Sequence, residues 1–283
     1  MAVSYTLSFN GRTLSLATPR IMGILNVTPD SFSDGGLWND PDRAFAHALK
    51  MLGEGADIID IGGESTRPGA REVSEQEELD RVIPAVEKIW RETGCWISVD
   101  TSRPEVIREA VKAGASVWND IRALGLEGAV SAAAALDVPV ILMHMQGKPR
   151  TMQQAPHYDD VVSEVKEFLL SRATCCLDAG VRRERIMLDP GFGFGKSAED
   201  NYTLLGHLEE LCALGYPLLS ALSRKSMLGA ATGVKDPKER VSASVAGHLI
   251  SVMKGACMVR AHDVAATKQA LDVYAAMRQA CKD

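Results

Sequence analysis

Polar and ionisable side chains follow nearly every short apolar run in this chain, and such residue types bind or transform ligands in many enzymes. In chain order they are Asn26, Glu64, Asp100, Asn119, His144, Asp189, Lys225, Arg260 and His262. A polar residue in this position often only caps the next helix, and for Asp100 or Asn119 alone we favour that interpretation. Lys225, Arg260 and His262 are poor N-caps, because a helix N-terminus is already positive. The set as a whole therefore predicts one polar pocket.

Arg260 and His262 are two positions apart on one predicted strand, so their side chains project from the same side. An arginine offers a planar fork that suits phosphate oxygens. A surface ion pair for Arg260 and a satisfied core histidine for His262 are the simpler explanations. Their joint occurrence at a strand end favours an anion clamp.

Two loops are rich in residues that bind ligands or turn the chain. Residues 26–36 combine turn formers with oxygen ligands and suit a lid over a metal-bound phosphate, or only a turn-rich connection. Residues 189–197 resemble a P-loop, but Pro190 stands where that motif needs glycine. We expect instead that the glycines let the backbone approach a flat ligand, with Phe192 or Phe194 as an aromatic wall.

The elements that must position these residues alternate between strand and helix. Buried-type apolar runs occupy residues 20–26, 56–62, 96–100, 115–119, 138–144, 185–189, 217–223 and 256–262. Segments with helical periodicity occupy residues 42–54, 74–91, 104–113, 128–136, 159–179, 199–214, 237–254 and 263–280. Eight such pairs predict an α/β fold of the TIM (β/α)8 barrel type, in which all strand C-termini converge on one face. Residues 3–17, split by Asn10-Gly11, predict a short N-terminal β-hairpin. No linker divides the chain, so we expect a single domain over residues 1–283.

Composition excludes several classes of protein. The chain is 46% hydrophobic and 24% charged, which is typical of a globular protein and not of a disordered one. A net charge of −6 argues against binding nucleic acid or anionic lipid through a basic surface. The six cysteines show no C-x-x-C spacing, so neither a disulfide framework nor a zinc site is expected. Without a signal peptide or a membrane span, a soluble cytoplasmic protein is expected.

Eight motifs, in order along the chain, resemble those of the dihydropteroate synthase family. They are GILNVTPDSFSDGG at 23–36, DIGGESTRPG at 60–69, ISVDT at 97–101, NDI at 119–121, MHM at 143–145, LDPGFGFGK at 188–196, SRKS at 223–226 and VRAHD at 259–263. The first two are highly specific. The resemblance implies a usually dimeric TIM barrel that joins 6-hydroxymethyl-7,8-dihydropterin diphosphate to p-aminobenzoate with Mg²⁺. Such an enzyme transfers an alkyl or aryl group in folate biosynthesis and is a sulfonamide target.

The resemblance also implies roles for individual residues. The pterin would be bound by Asp100, Asn119, Asp189 and Lys225; Mg²⁺ by Asn26; the diphosphate by Thr66, Arg260 and His262; and p-aminobenzoate by Arg67, Pro68, Phe194 and Ser226. Ile121, Met143 and Gly193 complete the substrate-binding set. A pterin presents an amino group and a ring N–H beside ring nitrogens, and the acceptors of Asp100, Asn119 and Asp189 suit it.

An arylamine is a weak nucleophile, so departure of the leaving group must lower most of the barrier. We hypothesise that Mg²⁺, Arg260 and His262 stabilise the departing diphosphate, while the dihydropterin holds cationic character at its exocyclic methylene. Asp34, on the first loop, is the candidate for stabilising that cation; alternatively it only shapes a turn. Lys225, Arg260, His262 and Asp34 are therefore the expected catalytic residues.

Three other functions remain open at this point. A methyltetrahydrofolate-binding methyltransferase would also need pterin-binding carboxylates, but neither the 26–36 loop nor the Arg260/His262 pair. A Schiff-base aldolase could use Lys225. A non-enzymatic paralogue could keep the fold alone. One departure from the family pattern, Ala221 in place of glycine, adds a methyl group near the expected pterin floor.

Overall fold

Eight parallel strands surrounded by helices form the centre of the molecule. The computed structural model describes residues 5–28, 41–65, 71, 73–147 and 151–281. The strands are β1 Thr6–Phe9, β2 Arg12–Ser15, β3 Arg20–Asn26, β4 Ile58–Gly62, β5 Trp96–Asp100, β6 Val117–Asp120, β7 Val140–Met143, β8 Ile186–Asp189, β9 Leu219–Ser220 and β10 Met258–Ala261. The helices are α1 Pro41–Gly53, α2 Glu75–Thr93, α3 Pro104–Ala113, α4 Ala129–Leu136, α5 Val161–Asp178, α6 Ala198–Gly206, α7 Leu208–Cys212, α8 Ser226–Thr232, α9 Val241–Met253 and α10 Val264–Ala280.

The large sheet curls into a barrel. Its strand order is β8-β7-β6-β5-β4-β3-β10-β9, and every adjacent pair is parallel. The two outer strands meet through a parallel bridge between Leu188 and Leu218, where the Leu188 amide donates to the Pro217 carbonyl at 2.9 Å. The predicted TIM-barrel fold is confirmed.

The barrel strands are apolar on both faces because side chains fill the interior and helices cover the outside. Ile58, Ile59 and Ile61 of β4 are completely buried, as are Ile97 and Val99 of the neighbouring β5. This is the reason why the strands read as continuous apolar runs in the sequence rather than alternating ones. The buried apolar side chains of strands and helices form one continuous core.

Helix ends follow the local sequence closely. Ser74 makes a capping box with Glu77 at the start of α2, and Pro104 occupies the first turn of α3. Glycines at or just after the ends of helices adopt positive φ; they are Gly94, Gly114, Gly180, Gly215 and Gly255. These local signals were sufficient to predict where several helices begin and end.

The N-terminal hairpin is also confirmed, and it lies at the end of the barrel where the strands begin. Asn10 and Gly11 both have positive φ, as a tight hairpin turn requires. Arg12 donates to the Gly94 carbonyl at 2.6 Å and its guanidinium lies 4.7 Å from the ring centre of Trp90 and 5.2 Å from that of Trp96. The hairpin therefore does not cover the opposite end of the barrel, where the polar C-terminal ends of the strands lie.

Some predicted boundaries were wrong. The single helix expected over 199–214 is two helices separated at His207, and the one expected over 237–254 is a 3₁₀ turn, Pro237–Glu239, followed by α9. The strand expected over 217–223 is only two residues long, and helix α8 was not predicted. The chain turns after β9 because Arg224 adopts φ 57°. No helix in the described ranges is long and apolar enough to cross a membrane.

Candidate active site

The C-terminal ends of the strands bring the predicted site residues together at one end of the barrel. Asn26 pairs in register with Gly62, Gly62 with Asp100, and Asp100 with Asn119, so these residues lie on successive strands β3 to β6. Asp189 ends β8, and Arg260 lies on β10. The order of the strands therefore gathers residues that are far apart in the sequence.

Arg260 is the centre of a buried ionic network. Its Nε donates to Oδ2 of Asp60 at 2.6 Å, and its Nη2 donates to Oδ2 of Asp100 at 3.0 Å. Oδ2 of Asp60 also accepts from Nδ2 of Asn119 at 3.3 Å. Residues of β4, β5, β6 and β10 are thus linked across the barrel mouth. Arg260 is already paired with two carboxylates, which the spacing of Arg260 and His262 does not reveal.

Asp60 was missing from the predicted site, although it is the only charged residue in an otherwise apolar strand, Ile58–Gly62. Its side chain has no exposed surface. Its Oδ1 has no hydrogen-bond partner among the residues that the structure describes. A charged residue in a buried strand is expensive unless it is paired, and that is the signal in the sequence that could have identified it.

Burial raises the pKa values of the carboxyl groups of Asp100 and Asp189. Burial raises the pKa of Asp100 well above its usual range; Arg260 opposes this, while nearby Asp60 and other acidic groups add to it. Burial also raises the pKa of Asp189, against the opposing charge of Lys225 and the hydrogen bond from the Gly191 amide. Carboxyls in such surroundings form strong hydrogen bonds with a ligand because water is excluded.

Lys225 faces the loop that follows β8. Its Nζ donates to the carbonyl of Phe192 and lies 4.6 Å from the ring centre of Phe194. Burial lowers the pKa of Lys225 to about 8, although the charge of Asp189 acts in the opposite direction. The ammonium is therefore held between a carboxylate, a carbonyl and an aromatic face.

Two glycines of the 189–197 loop pack closely against the backbone that follows β7. A Cβ on Gly191 would lie 1.9 Å from the His144 carbonyl oxygen, and one on Gly195 would lie 2.3 Å from that of Gln146. These two glycines allow close approach of the loop to the backbone after β7, and the expectation that the loop approaches a flat ligand stays a prediction. Phe192 is fully buried, which leaves the half-buried Phe194 as the aromatic wall.

His262 lies one residue beyond β10. Its Nδ1 is 3.0 Å from Oγ of Ser223, and its backbone amide donates to the same oxygen at 3.1 Å. Ser223 thus fixes the orientation of the imidazole ring. Arg260 and His262 do come from one strand end, as the sequence predicts.

The remaining predicted residues occupy different positions around the mouth. Ile121 lines a small pocket together with Glu64 and Asp100, Met143 ends β7, and Ser226 is exposed at the start of α8. Gly193 faces Lys225, whose Cδ would lie 3.1 Å from an added Cβ. The predicted residues outside the described ranges are Asp34, Thr66, Arg67 and Pro68. Their roles stay predictions.

Comparisons with known proteins agree on one family. The model of the pterin-binding enzyme family matches residues 22–262. A protein of Haemophilus influenzae named dihydropteroate synthase is 54% identical over 271 residues, covering 96% of this chain and 98% of that protein. A structure of Xanthomonas albilineans dihydropteroate synthase with 4-aminobenzoic acid is 53% identical and superposes with a TM-score of 0.93, covering 98% of this chain and 99% of the other. A sulfonamide complex of the Yersinia pestis enzyme is 52% identical, with a TM-score of 0.93 and coverage of 97% and 99%.

Proposed function

The chain belongs to the dihydropteroate synthase family of pterin-binding enzymes, and from that premise we propose how its site performs the reaction. It is an enzyme of the transferase class. We propose that it joins 6-hydroxymethyl-7,8-dihydropterin diphosphate to p-aminobenzoate, giving 7,8-dihydropteroate and diphosphate. Family membership argues against the methyltransferase, aldolase and non-enzymatic alternatives.

Asp100, Asn119 and Asp189 hold the pterin in this proposal. The amide of Asn119 both donates and accepts, whereas an ionised carboxylate only accepts, so the three side chains match a heterocycle that presents N–H groups beside ring nitrogens. Asp60 supports the proposal because its hydrogen bond to Nδ2 of Asn119 restricts the orientation of that amide. Lys225 moves its ammonium from the Phe192 carbonyl to the pterin carbonyl and ring nitrogen.

The reaction breaks the bond between the exocyclic methylene carbon and the diphosphate oxygen. The electron pair leaves with the diphosphate, the lone pair of the arylamine forms the new C–N bond, and the nitrogen gives one proton to the departing diphosphate or to water. Since the arylamine is a weak nucleophile, bond breaking runs ahead of bond formation. Arg260, His262 and Thr66 stabilise the negative charge on the leaving group, and Asp34 stabilises the cationic methylene.

The residues present fit a magnesium ion that is shared with the substrate. Mg²⁺ prefers oxygen ligands, keeps several waters and is often held by one or two protein groups plus substrate phosphates. The half-buried Asn26 at the end of β3 offers such an oxygen, and no group of three or more His, Cys, Asp or Glu in the described ranges forms an alternative metal site. When bound there, Mg²⁺ would neutralise charge on the diphosphate.

The aromatic face of Phe194 beside Lys225 supports an arylamine pocket next to the pterin. Arg67, Pro68 and Ser226 complete this pocket in the proposal, with Ile121, Met143 and Gly193 bordering the pterin. Sulfonamides resemble p-aminobenzoate, and the Yersinia structure contains a sulfonamide drug. We expect a sulfonamide to raise the KM for p-aminobenzoate competitively; turnover unaffected at drug concentrations far above that KM would contradict this.

The observation that carries the proposal is the network linking Arg260, Asp60, Asp100 and Asn119, because it joins anion-binding and pterin-binding groups in one mouth. The test is to incubate the protein with Mg²⁺ and both substrates and to analyse the products by mass spectrometry. The proposal requires one molecule of 7,8-dihydropteroate for each diphosphate released. Diphosphate formed without the coupled product would refute it.

We also propose a homodimer. The helices α9 and α10 pack against each other and leave large apolar side chains exposed. These are Ile250, Met253, Val273 and Met277. An apolar patch of this kind is typical of a protein–protein interface, and sedimentation of the protein as a monomer at micromolar concentration would contradict the dimer. A single domain and a cytoplasmic location stay predictions of the sequence.

A further inference from the structure

Lys196 is a buried cation that none of the proposed substrate contacts uses. It is 2% exposed. Its Nζ donates to the Gly191 carbonyl at 2.9 Å and to the Phe194 carbonyl at 3.2 Å, and lies 2.9 Å from Nδ1 of His144. An ammonium has three N–H donors. Burial lowers the pKa of Lys196 to about 7, and in the protonated form all three donors are engaged within the protein, which leaves none for a direct contact to substrate.

The loop that Lys196 holds contains a turn hydrogen bond, from the Phe194 amide to the Gly191 carbonyl at 3.1 Å. Side chains from outside the loop take its other carbonyls: Lys225 binds that of Phe192, Gln153 binds that of Gly193, and Tyr158 binds that of Gly195. Among the side chains that the structure describes, that of Lys196 binds the carbonyls on both sides of the Phe192–Gly193 pair. It therefore reinforces the turn in which the Phe194 amide donates to the Gly191 carbonyl, and it adds the contact that holds the Phe194 carbonyl.

His144 ties the same ammonium to the barrel. It directly follows β7, and its backbone amide donates to the Asp189 carbonyl at 3.0 Å. Its ring packs edge-on against Phe168, with 4.9 Å between ring centres. Nδ1 accepts from Lys196 only when it carries no proton, and burial together with the charge of Lys196 lowers the pKa of His144 to about 3. The histidine thus provides a neutral, fixed acceptor.

We propose that Lys196 is a positioning residue for the arylamine substrate, which acts by holding Phe194 in place through its backbone carbonyl. This inference rests on the proposed function. Asp100 and Asn119 belong to strands β5 and β6, outside this loop, so the pterin keeps these two contacts when the loop loosens. Loss of Lys196 consequently affects the second substrate more than the first.

The test compares the wild-type protein with Lys196→Met. This variant keeps the length of the side chain but removes its hydrogen-bond donors. The KM for p-aminobenzoate should rise about tenfold or more, since displacement of about 1 Å is costly in a preorganised site. Affinity for the pterin diphosphate, measured by calorimetry, should change by less than about threefold. Equal losses for both substrates, or an unchanged KM for p-aminobenzoate, would overturn the proposal.

Three further variants separate positioning from stability. Thr267→Val removes a buried hydrogen-bond partner of His248 between α9 and α10, at 3.1 Å, and should lower Tm without changing either KM. If Lys196→Met does not fold, His144→Leu is the alternative: it removes the acceptor of Lys196 and the ring that packs against Phe168, and it should raise the KM for p-aminobenzoate. His144→Asn, which restores an acceptor, should partly reverse this. If His144→Asn does not restore the KM in part, the proposal is overturned. If the unchanged protein makes no dihydropteroate at all, it is the proposed function that fails.

Discussion

At the residue scale, the site depends on charges that are paired before any substrate arrives. Arg260 is held by Asp60 and Asp100, and Lys225 is held by the Phe192 carbonyl. Preorganised charges need little rearrangement when negative charge develops on a leaving group. Arg260 is therefore expected to act from a fixed position, whereas Lys225 changes partner on binding.

Replacement of Asp60 by asparagine tests how strongly this network is coupled to the fold. Removing one partner of a buried ion pair costs about 3 kcal/mol, and Arg260 then keeps only Asp100 as its partner. We expect the free energy of unfolding in urea to fall by up to about that amount and kcat/KM for the pterin diphosphate to fall as Arg260 and Asn119 lose the negative charge of their common acceptor.

The matched control is Asp272→Asn, which removes an exposed ion pair with Lys268 on α10. Such surface pairs contribute about 0.5 kcal/mol or less. If the free energy of unfolding fell equally in the two variants, Asp60 would not contribute the stability that its contacts indicate.

The alkaline limb of the pH profile should report Lys225. Burial lowers its pKa from 10.5 to about 8, and only the protonated form carries the charge that strengthens its hydrogen bonds to the pterin. The kcat/KM for the pterin diphosphate should therefore be constant well below pH 8, fall to half near pH 8 and approach a tenfold fall per pH unit above it. In Lys225→Arg the residual activity should lose this limb, because a guanidinium keeps its proton. A limb near pH 8 that persists in this variant would assign the titration to another group.

Much of the site could be predicted at this scale, because strand-end residues such as Asp100, Asn119 and Asp189 follow visible apolar runs. The pairing of Arg260 with Asp60 could not, since it joins residues 200 positions apart across the barrel. Lys196 was seen only as part of an incomplete P-loop. Its contacts depend on where β7 and β8 end in space, which no local pattern contains.

At the element scale, the loop after β8 shows how backbone shape and packing combine. Gly195 and Gly94 have the same φ of 61°, but a Cβ on Gly195 would lie 2.3 Å from the Gln146 carbonyl oxygen, whereas nothing lies within 4 Å of one on Gly94. The left-handed backbone conformation at both positions is unfavourable for any residue with a Cβ. At Gly195, but not at Gly94, a Cβ would also clash with a neighbouring backbone atom.

This pair provides a controlled prediction. Gly94→Ala should lower the free energy of unfolding by about 1–2 kcal/mol, the cost of a left-handed conformation for alanine. Gly195→Ala should lower it further and also raise the KM for p-aminobenzoate, because the loop must move away from the β7 side. Equal unfolding free energies in a urea titration of the two variants would show that the close approach at Gly195 is absent in solution.

The elements themselves were largely predictable where the sequence carries caps and long periodic segments. Helix α3 was predicted at its observed bounds, and α2 was anticipated by its capping box. The break at His207 and the short helix α8 were not anticipated. Both are set by how the chain packs between strands rather than by local propensity, and a seven-residue helix is too short to show a period.

At the scale of the whole molecule, the residues that stabilise the fold and the residues of the site lie at opposite ends of the barrel. The polar strand ends form one mouth, and the N-terminal hairpin lies at the other end through Arg12, Trp90 and Trp96. The matched family region begins at residue 22, after this hairpin. The hairpin therefore contributes to the fold without touching the site.

Arg12→Ala tests this separation. The loss of two cation–π contacts and a hydrogen bond to Gly94 should lower the free energy of unfolding by about 1–2 kcal/mol. Values of kcat and of both KM should stay unchanged in steady-state assays. A change in either KM would mean that the two ends of the barrel are coupled.

The central claim is that one barrel mouth brings a pterin diphosphate and an arylamine together for a displacement. The most direct measurement is diphosphate release by the unchanged protein with Mg²⁺, repeated with each substrate omitted in turn. Our account predicts sustained release only when both the pterin diphosphate and p-aminobenzoate are present. Release at the same rate without p-aminobenzoate, or no release with both, would contradict it.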